Sequence, residues 1–249
     1  MGDSNNVGCI DNYLWSPQAV VIGESLYFIM CKGCNIFIRR YCYQNQSWDA
    51  FYGRPIFTYS HLNFPRGCVF SKDIELLAVA DTYHDRVVIF DLDGNIRQKI
   101  DSSIIKNLHW PRCVKWIADD LYIVNSTSRE VIKISNDCLT GQRISIPGNL
   151  LPKGQWMQAF DLMDGTMLLA FERQVLLWDT GSQNIKWTSE RKLELNDVHY
   201  AQLISKDSLL ITDTGNNRGL LIENGHIKEI CCVYEAGKSI FFILPAFFS

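Results

Sequence analysis

The chain has no long run of one charge and no long run of apolar residues. Its 249 residues include 24 basic and 27 acidic side chains, for a formal net charge of -3, and no long basic stretch occurs. Nucleic-acid binders concentrate positive charge, so we do not expect DNA or RNA as a partner. The longest apolar run, Ile240 to Phe248, is far below the roughly 20 residues that cross a bilayer. We therefore expect a soluble protein that has no membrane partner.

Targeting and disulfide signals are also scarce. Residues 1–6 have neither the basic nor the apolar region of a signal peptide, and Asn6 stands where a myristoylation motif has Ser or Thr. The nine cysteines are odd in number, and several fall in apolar strand patterns, where Cys behaves as a small hydrophobe. These features favour a reducing, cytoplasmic location.

Helical periodicity and the common enzyme motifs are nearly absent. Few windows carry apolar residues at the i, i+3, i+4 and i+7 positions of a helix. The sequence has no Gly-rich phosphate loop, no Gly-x-Ser-x-Gly elbow and no His-Glu-x-x-His helix. We predict an all-β protein without a cofactor.

The sequence does contain a repeat. A Pro or similar residue, followed by a polar and then a small residue, recurs about every 42 to 48 positions. Its five copies begin at Pro17, Pro65, Pro111, Met157 and His199. Three strand-like segments follow each copy; the predicted third strands are Asn35 to Tyr41, Arg86 to Asp91, Glu130 to Ser135, Gln174 to Asp179 and Gly219 to Glu223. Four antiparallel strands per unit, repeated radially, predict a β-propeller.

We predict one propeller domain over residues 1–249, with five complete blades and a partial sixth. The blades lie approximately at 15–53, 64–100, 110–146, 156–190 and 198–233. Leu244-Pro245-Ala246 repeats the motif again, so the termini, 1–14 and 234–249, are expected to close the ring as a partial sixth blade. The alternative is a ring of five blades. An open edge at Ile240 to Phe248 would instead pair with another copy, giving a homo-oligomer.

Two stretches resemble the NHL-repeat propeller family. The family pattern, Ala-Asp-Thr-Gly-Asn-His-Arg, an apolar strand and then Asp-Gly, is matched by residues 80–94 and 212–225, and 124–129 is a weaker match. The resemblance implies blades around a central channel. Family members range from protein-binding and RNA-binding scaffolds to lyases, so the resemblance does not imply one activity.

The repeat alignment predicts a ring of side chains at the channel mouth, because the first strand of a blade is the innermost. The ring is Gln18, Arg66, Arg112, Gln158 and Tyr200. The next residue is always small: Ala19, Gly67, Cys113, Ala159 and Ala201. The aromatic residues that precede the ring are Trp15, Phe64, Trp110 and Trp156.

Arg66 and Arg112 are neighbours in this predicted ring. Two guanidinium groups facing one cavity repel each other unless an anion or a carboxylate compensates. One interpretation is a site for a carboxylate, phosphate or sulfate group. The other is that both arginines pair with acidic residues on neighbouring loops.

Three histidines lie near the same edge: His61, His109 and His199. Together they are weak candidates for a metal site, because their offsets from the repeat differ while zinc requires nearly tetrahedral ligands. His199 is the best general acid or base, since it adjoins Tyr200 and Asp197 is close enough in sequence to orient it.

Two functions remain open. The first is a propeller that binds an anionic small molecule or an acidic segment of a partner at the mouth, using the ring and its aromatic neighbours. The second is an enzyme, such as a lyase, hydrolase or cyclase. In it His199 and Tyr200 would transfer protons, and Arg66 and Arg112 would hold a substrate carboxylate.

Overall fold

The computed structural model describes residues 14–22, 25–32, 35–42, 47–49, 62–71, 73–91, 95–135, 140–189 and 193–231. Side chains are described within these ranges from Leu62 to Lys228. All the regular structure in these ranges is β-strand, apart from three single 3₁₀ turns, Thr82–His84, Gly148–Leu150 and Thr214–Asn216. None of the helical turns in the described part of the chain is long and apolar enough to cross a membrane.

Within the described ranges, twenty strands form five four-stranded antiparallel sheets, each built from consecutive strands. Blade 1 contains β1 (Leu14–Ile22), β2 (Ser25–Lys32), β3 (Asn35–Cys42) and β4 (Ser47–Asp49). Blade 2 contains β5 (Pro65–Ser71), β6 (Leu76–Asp81), β7 (Arg86–Asp91) and β8 (Ile96–Ile100). Blade 3 contains β9 (Pro111–Ile117), β10 (Asp120–Asn125), β11 (Glu130–Ile134) and β12 (Gly141–Arg143). Blade 4 contains β13 (Met157–Met163), β14 (Thr166–Phe171), β15 (Val175–Asp179) and β16 (Asn184–Thr188). Blade 5 contains β17 (Val198–Ser205), β18 (Ser208–Asp213), β19 (Arg218–Glu223) and β20 (His226–Cys231).

The first strands of successive blades contact one another, β1 with β5, β5 with β9, β9 with β13 and β13 with β17. This arrangement confirms the all-β propeller architecture. The structure describes side chains only in four blades, 2 to 5, and blade 1 as backbone alone. It therefore does not show the predicted five complete blades and partial sixth. The predicted closing segments at the termini lie outside the described residues.

Two hairpin turns have the backbone conformation that their sequences, Asn-Gly and Asp-Gly, favour. Asn224 and Gly225 both have positive φ, 50° and 78°, as a two-residue hairpin turn of the primed type requires. Asp164 and Gly165 repeat this conformation between β13 and β14, with φ of 47° and 74°. These turns fix the register of their hairpins and therefore decide which face of each strand is buried.

The core lies between blades. One cluster joins Ala80 and Ile89 of blade 2 to Ile123 of blade 3. A second joins Phe160 of blade 4 to residues of blades 3 and 5, including Ile211. Because each strand alternates its side chains across the sheet, a blade contributes to the core on both faces.

Two buried carboxylates hold the loops between blades. The Asp81 side chain is inaccessible to solvent. It accepts hydrogen bonds from the Asn63 backbone N–H at 2.6 Å and the Arg86 Nε at 2.6 Å. Asp213 accepts in the same way from the Asn196 backbone N–H and from Arg218 Nε, both at 2.7 Å. Each carboxylate therefore caps a loop amide and pairs with the arginine five residues later.

Hydroxyl groups connect one blade to the next. Thr82 Oγ1 donates to the Pro111 carbonyl at 2.7 Å, and Ser126 Oγ donates to the Met157 carbonyl at 2.7 Å. Each hydroxyl follows the end of the second strand of its blade, and each carbonyl starts the first strand of the next. These bonds fix the start of β9 and β13, from which the channel mouth is built.

Gly67 illustrates how closely the first strands approach each other. A Cβ built on Gly67 would lie 2.5 Å from the Arg112 carbonyl oxygen and 3.2 Å from the Cys113 Cα. Both neighbours are backbone atoms, which cannot rotate away. The small residue that follows the ring in blade 2 is therefore a steric requirement.

We expect Gly67→Ala to destabilise the protein by about 1 to 3 kcal/mol, because the added methyl overpacks the contact between β5 and β9. Chemical denaturation followed by tryptophan fluorescence measures the change. Gly148→Ala is the matched control, since a Cβ at Gly148 meets no atom within 4 Å. Equal stability of the two variants would contradict this account.

Candidate functional site

In blades 2 to 5, a register shift at the start of the first strand leaves one residue out of the strand pairing. In blade 1 the shift lies between Trp15 and Gln18, and the predicted ring residue Gln18 pairs with Ile29. In blade 2, Pro65 pairs with Asp81 and Gly67 with Ala80, so Arg66 is skipped. The same shift skips Arg112 in blade 3 and Gln158 in blade 4. An unpaired residue of this kind points its side chain out of the regular alternation, as in a β-bulge.

Blade 5 corrects the predicted ring by one residue. Val198 pairs with Asp213 and Tyr200 with Thr212, so the skipped residue is His199. Tyr200 therefore occupies the position of Gly67 in blade 2, and Ala201 follows it. The sequence alignment placed His199 at the Pro position because Val198 carries no proline-like signal.

Arg112 and Gln158 form the buried part of the mouth. Arg112 is 9% exposed and Gln158 is 2% exposed. Arg112 Nη1 donates a hydrogen bond to Gln158 Oε1. Arg112 Nε and Gln158 Nε2 have no hydrogen-bond partner among the described residues. Two buried hydrogen-bond donors on contacting side chains thus lack an acceptor, which is uncommon in folded proteins.

The charge on Arg112 is poorly compensated. Burial, and then repulsion from Arg66, lower the pKa of Arg112 to about 10, while Glu172 and Asp197 oppose the shift. Within the described ranges, no carboxylate oxygen lies within the 4.0 Å of an ion pair with Arg112. The interpretation that Arg112 pairs with an acidic loop residue is thus not supported in this part of the chain.

Aromatic rings form a continuous row beside Arg112. Phe64 stacks on Tyr83 at 4.7 Å between ring centroids, and Tyr83 stacks on Trp110 at 5.3 Å. Trp110 meets Trp156 edge to face at 5.1 Å. The Arg112 guanidinium carbon lies 6.0 Å from the Trp110 centroid and 5.4 Å from the Trp156 centroid. We call Phe64, Tyr83, Trp110 and Trp156 the aromatic row.

Tyr83 is the member of the aromatic row that sequence reasoning missed. It occupies the Gly position of the family pattern, on the turn after β6 rather than before β5. The available signal was this departure from the pattern. The side chains of Trp15 and Gln18, predicted for the same mouth, lie outside the described residues.

His199 and Asp197 lie next to the arginines. The Nε2 of His199 is 3.1 Å from Asp197 Oδ2, as the sequence spacing predicts. The hydrogen bond from His199 is the largest effect that lowers the pKa of Asp197, and Arg112 and Arg66 contribute to the same shift. The carboxylate therefore lies within electrostatic range of both guanidinium groups.

A second polar layer lies three residues further along the first strands. Lys115 Nζ is 3.2 Å from Asp161 Oδ2, and both side chains are buried. Asp161 Oδ2 also accepts from the Leu203 backbone N–H at 3.0 Å. Burial disfavours the charge on Lys115, but Tyr200 and Asp161 outweigh it and raise its pKa. This layer, unlike the mouth, neutralises its own charge.

Tyr200 belongs to this second layer rather than to the mouth. Its hydroxyl donates to Gln202 Oε1 at 3.1 Å, and Lys115 Nζ lies 5.4 Å from its ring centroid. Burial raises the pKa of Tyr200, although Lys115 lowers it. A phenol with a raised pKa is a poor base at neutral pH.

His109 contacts side chains other than His199. His109 Nδ1 is 3.2 Å from Thr127 Oγ1, and His109 Nε2 is 3.9 Å from Asp85 Oδ2. His61 lies outside the described residues. In the described part of the chain, no three His, Cys, Asp or Glu side chains are grouped so that they could hold a metal ion.

Solved structures share this fold. A streptogramin B lyase is 15% identical with a TM-score of 0.51, covering 66% of this chain and 53% of its own. A nidogen/laminin complex is 14% identical with a TM-score of 0.59, covering 93% and 80%. The WD40 β-propeller domain of Doa1 is 9% identical with a TM-score of 0.57, covering 87% and 70%. This chain thus spans about half the length of the streptogramin B lyase chain that it matches.

No family model matches the sequence. No curated protein matches it either. At identities of 9 to 15%, the structural likenesses carry the fold and not an activity. The chain is a β-propeller.

Proposed function

We propose that the mouth formed by Arg66, Arg112 and Gln158 binds an anionic group, either on a small molecule or on an acidic segment of a partner. The observation that carries the proposal is the buried Arg112 cation, which has a lowered pKa and no carboxylate at ion-pair distance in the described region. A buried charge is costly unless it is paired and hydrogen-bonded. A bound anion supplies both.

The geometry of the donors suits an oxyanion. Arg112 Nε and Gln158 Nε2 both lack an acceptor among the described residues. Guanidinium groups bind carboxylate, phosphate and sulfate through parallel N–H donors, and such bonds are about twice as strong as neutral ones. Asp197 and Glu172 influence Arg112 electrostatically but lie beyond ion-pair distance from it.

An enzyme is the second candidate, and the Asp197–His199 contact favours it. A carboxylate that holds an imidazole fixes its tautomer and makes it a better base. Tyr200 has no role in this version, because it belongs to the second layer. A fold neighbour is a streptogramin B lyase, which makes catalysis at a propeller a plausible use of the fold without assigning a reaction.

Further predictions from the sequence stay part of the proposal. We also propose that residues 1–249 form one domain of NHL-repeat type, in which the termini form a partial sixth blade that closes the ring. Cytoplasmic location rests on the odd cysteine count and on Cys68 and Cys113, which are buried and form no disulfide. The alternative to closure by the termini is that the edge at Ile240 to Phe248 pairs with a second copy, which would give a homo-oligomer.

We expect succinate, sulfate or a hexaglutamate peptide to raise the melting temperature by about 5 to 10 °C at 100 times the dissociation constant. Arg66→Gln/Arg112→Gln should abolish the shift. The matched control is Arg97→Gln/Arg143→Gln, which removes two exposed guanidinium groups from outer strands. Thermal unfolding at constant ionic strength, with chloride as the reference, measures the effect.

A shift with the peptide alone would identify a partner segment, and a shift with small anions would identify a small-molecule site. Equal shifts in the two double variants would contradict the proposed mouth. So would the absence of any shift in the wild type.

Sulfate affinity should fall as the pH rises above about 10. The pKa of Arg112 is lowered to about 10, so its cation is present below this pH and is lost above it. Sulfate itself stays fully charged over this range. Isothermal titration calorimetry between pH 8 and 11 measures the change, with folding checked at each pH.

Arg112→Lys should move the loss of affinity to lower pH, because a buried lysine has a lowered pKa. Arg112→Gln should bind weakly at every pH. Affinity of the wild type that stays constant to pH 11 would show that Arg112 does not supply the charge.

His199→Asn separates binding from catalysis. If the mouth is catalytic, compounds that shift the melting temperature should be consumed by the wild type, and the variant should lose at least 100-fold in rate while it keeps the shift. One-dimensional NMR of the compound follows consumption. Consumption at an unchanged rate in the variant would remove His199 from the mechanism.

A further inference from the structure

The aromatic row ends at the same guanidinium that carries the anion site. Trp110 and Trp156 both lie against Arg112, and Tyr83 extends the row away from it. The remainder of a ligand whose anionic group reached Arg112 would therefore lie within a few ångströms of these rings. The aromatic row thus determines which kind of group the ligand carries next to its anionic group, and Arg112 determines the charge of the anionic group.

Two rings of the row are open to solvent. Tyr83 is 41% exposed and Trp156 is 39% exposed, although Trp110 between them contacts both. An aromatic side chain buries some 150 to 250 Å² when it packs fully. The exposed parts of these two rings form an apolar, aromatic surface next to the buried cation.

The backbone holds part of this row in an unfavourable conformation. Phe64 has a φ of 49° and Trp110 has a φ of 52°, in the left-handed region where bulky residues are rare. Such a conformation is unfavourable and persists where the surrounding structure imposes it, often at ligand sites. Both residues stand two positions before a ring arginine, so the strain recurs at the mouth.

The free donors select the anionic group. Arg112 Nε and Gln158 Nε2 each require one acceptor, and both side chains are more than nine-tenths buried. A carboxylate has two oxygens in one plane and can accept from both.

We propose that the mouth binds an aromatic carboxylate, with its carboxylate on Arg112 and Gln158 and its ring against the aromatic row. This inference rests on the proposed anion site and adds the class of ligand. Aromatic pairs contribute about 0.5 to 1.5 kcal/mol beyond the area that they bury. An aromatic ring is therefore preferred over a saturated ring of equal size.

The test compares benzoate, cyclohexanecarboxylate, acetate and the neutral benzamide by calorimetry on the folded protein at pH 7. We expect benzoate to bind about three- to tenfold more tightly than cyclohexanecarboxylate, and acetate and benzamide to bind more weakly than either. Trp156→Leu should remove the preference for benzoate while it retains apolar contact. Trp187→Leu, in an outer strand, is the matched control and should keep the preference.

Arg112→Gln should abolish binding of both ring carboxylates, and Tyr83→Leu offers a second variant in an exposed position if Trp156→Leu fails to fold. Benzoate and cyclohexanecarboxylate binding equally, with both lost in Arg112→Gln, would overturn the aromatic ligand and leave the anion site intact. Benzamide binding as tightly as benzoate would overturn the anion site itself. Binding of none of the four compounds would overturn the aromatic carboxylate as the ligand, whereas the sulfate and hexaglutamate measurements decide the anion site.

Discussion

The close approach of the first strands around the channel is the constraint on which the rest of the structure depends. At Gly67 the backbone of β5 meets the backbone of β9 with no space for a Cβ. Strands this close cannot place regular alternating side chains between them, and in each of blades 2 to 5 the chain shifts register and leaves one residue out of the strand pairing. Crowding therefore produces both the small residues and the ring.

The channel has two polar layers with opposite electrostatic character. Lys115 and Asp161 compensate each other, and a backbone N–H of the next blade adds a hydrogen bond to the carboxylate. Arg112 has a neutral amide as its neighbour and a second guanidinium nearby. Lys115 is paired with a carboxylate, but Arg112, three residues earlier, has no carboxylate at ion-pair distance among the described residues. This difference is the physical basis of the proposal that the mouth binds a ligand.

The sequence predicted much of the fold because each blade repeats the same local signals. The third strand at Arg86 to Asp91 was located to the residue, and Asn224-Gly225 forms the turn that its dipeptide indicates. The site was less accessible. Tyr200 was placed in the ring because Val198 gives no signal for a register shift, and a shift of one residue exchanges the two faces of a strand. The Lys115–Asp161 pair was missed because a charged residue within an inner strand has no sequence motif.

Departures from the repeat are concentrated at the mouth. Blades 2 and 3 carry a hydroxyl, Thr82 or Ser126, that bonds to the next blade, and Glu172 takes this position in blade 4. The Glu172 carbonyl still accepts from the Val198 N–H at 2.9 Å, so the link between the blades is kept by the backbone.

The carboxylate of Glu172 is thereby free for another role. It accepts the Trp156 backbone N–H at 3.0 Å and fixes a member of the aromatic row beside Arg112. Tyr83 departs from the pattern in the same region, where blade 5 has Gly215. In a repeat protein, each blade needs the same residues at the positions where blades stack. Glu172 and Tyr83 depart from the repeat near Arg112, while the contacts between blades are kept. Such departures support the proposal that the mouth binds a ligand.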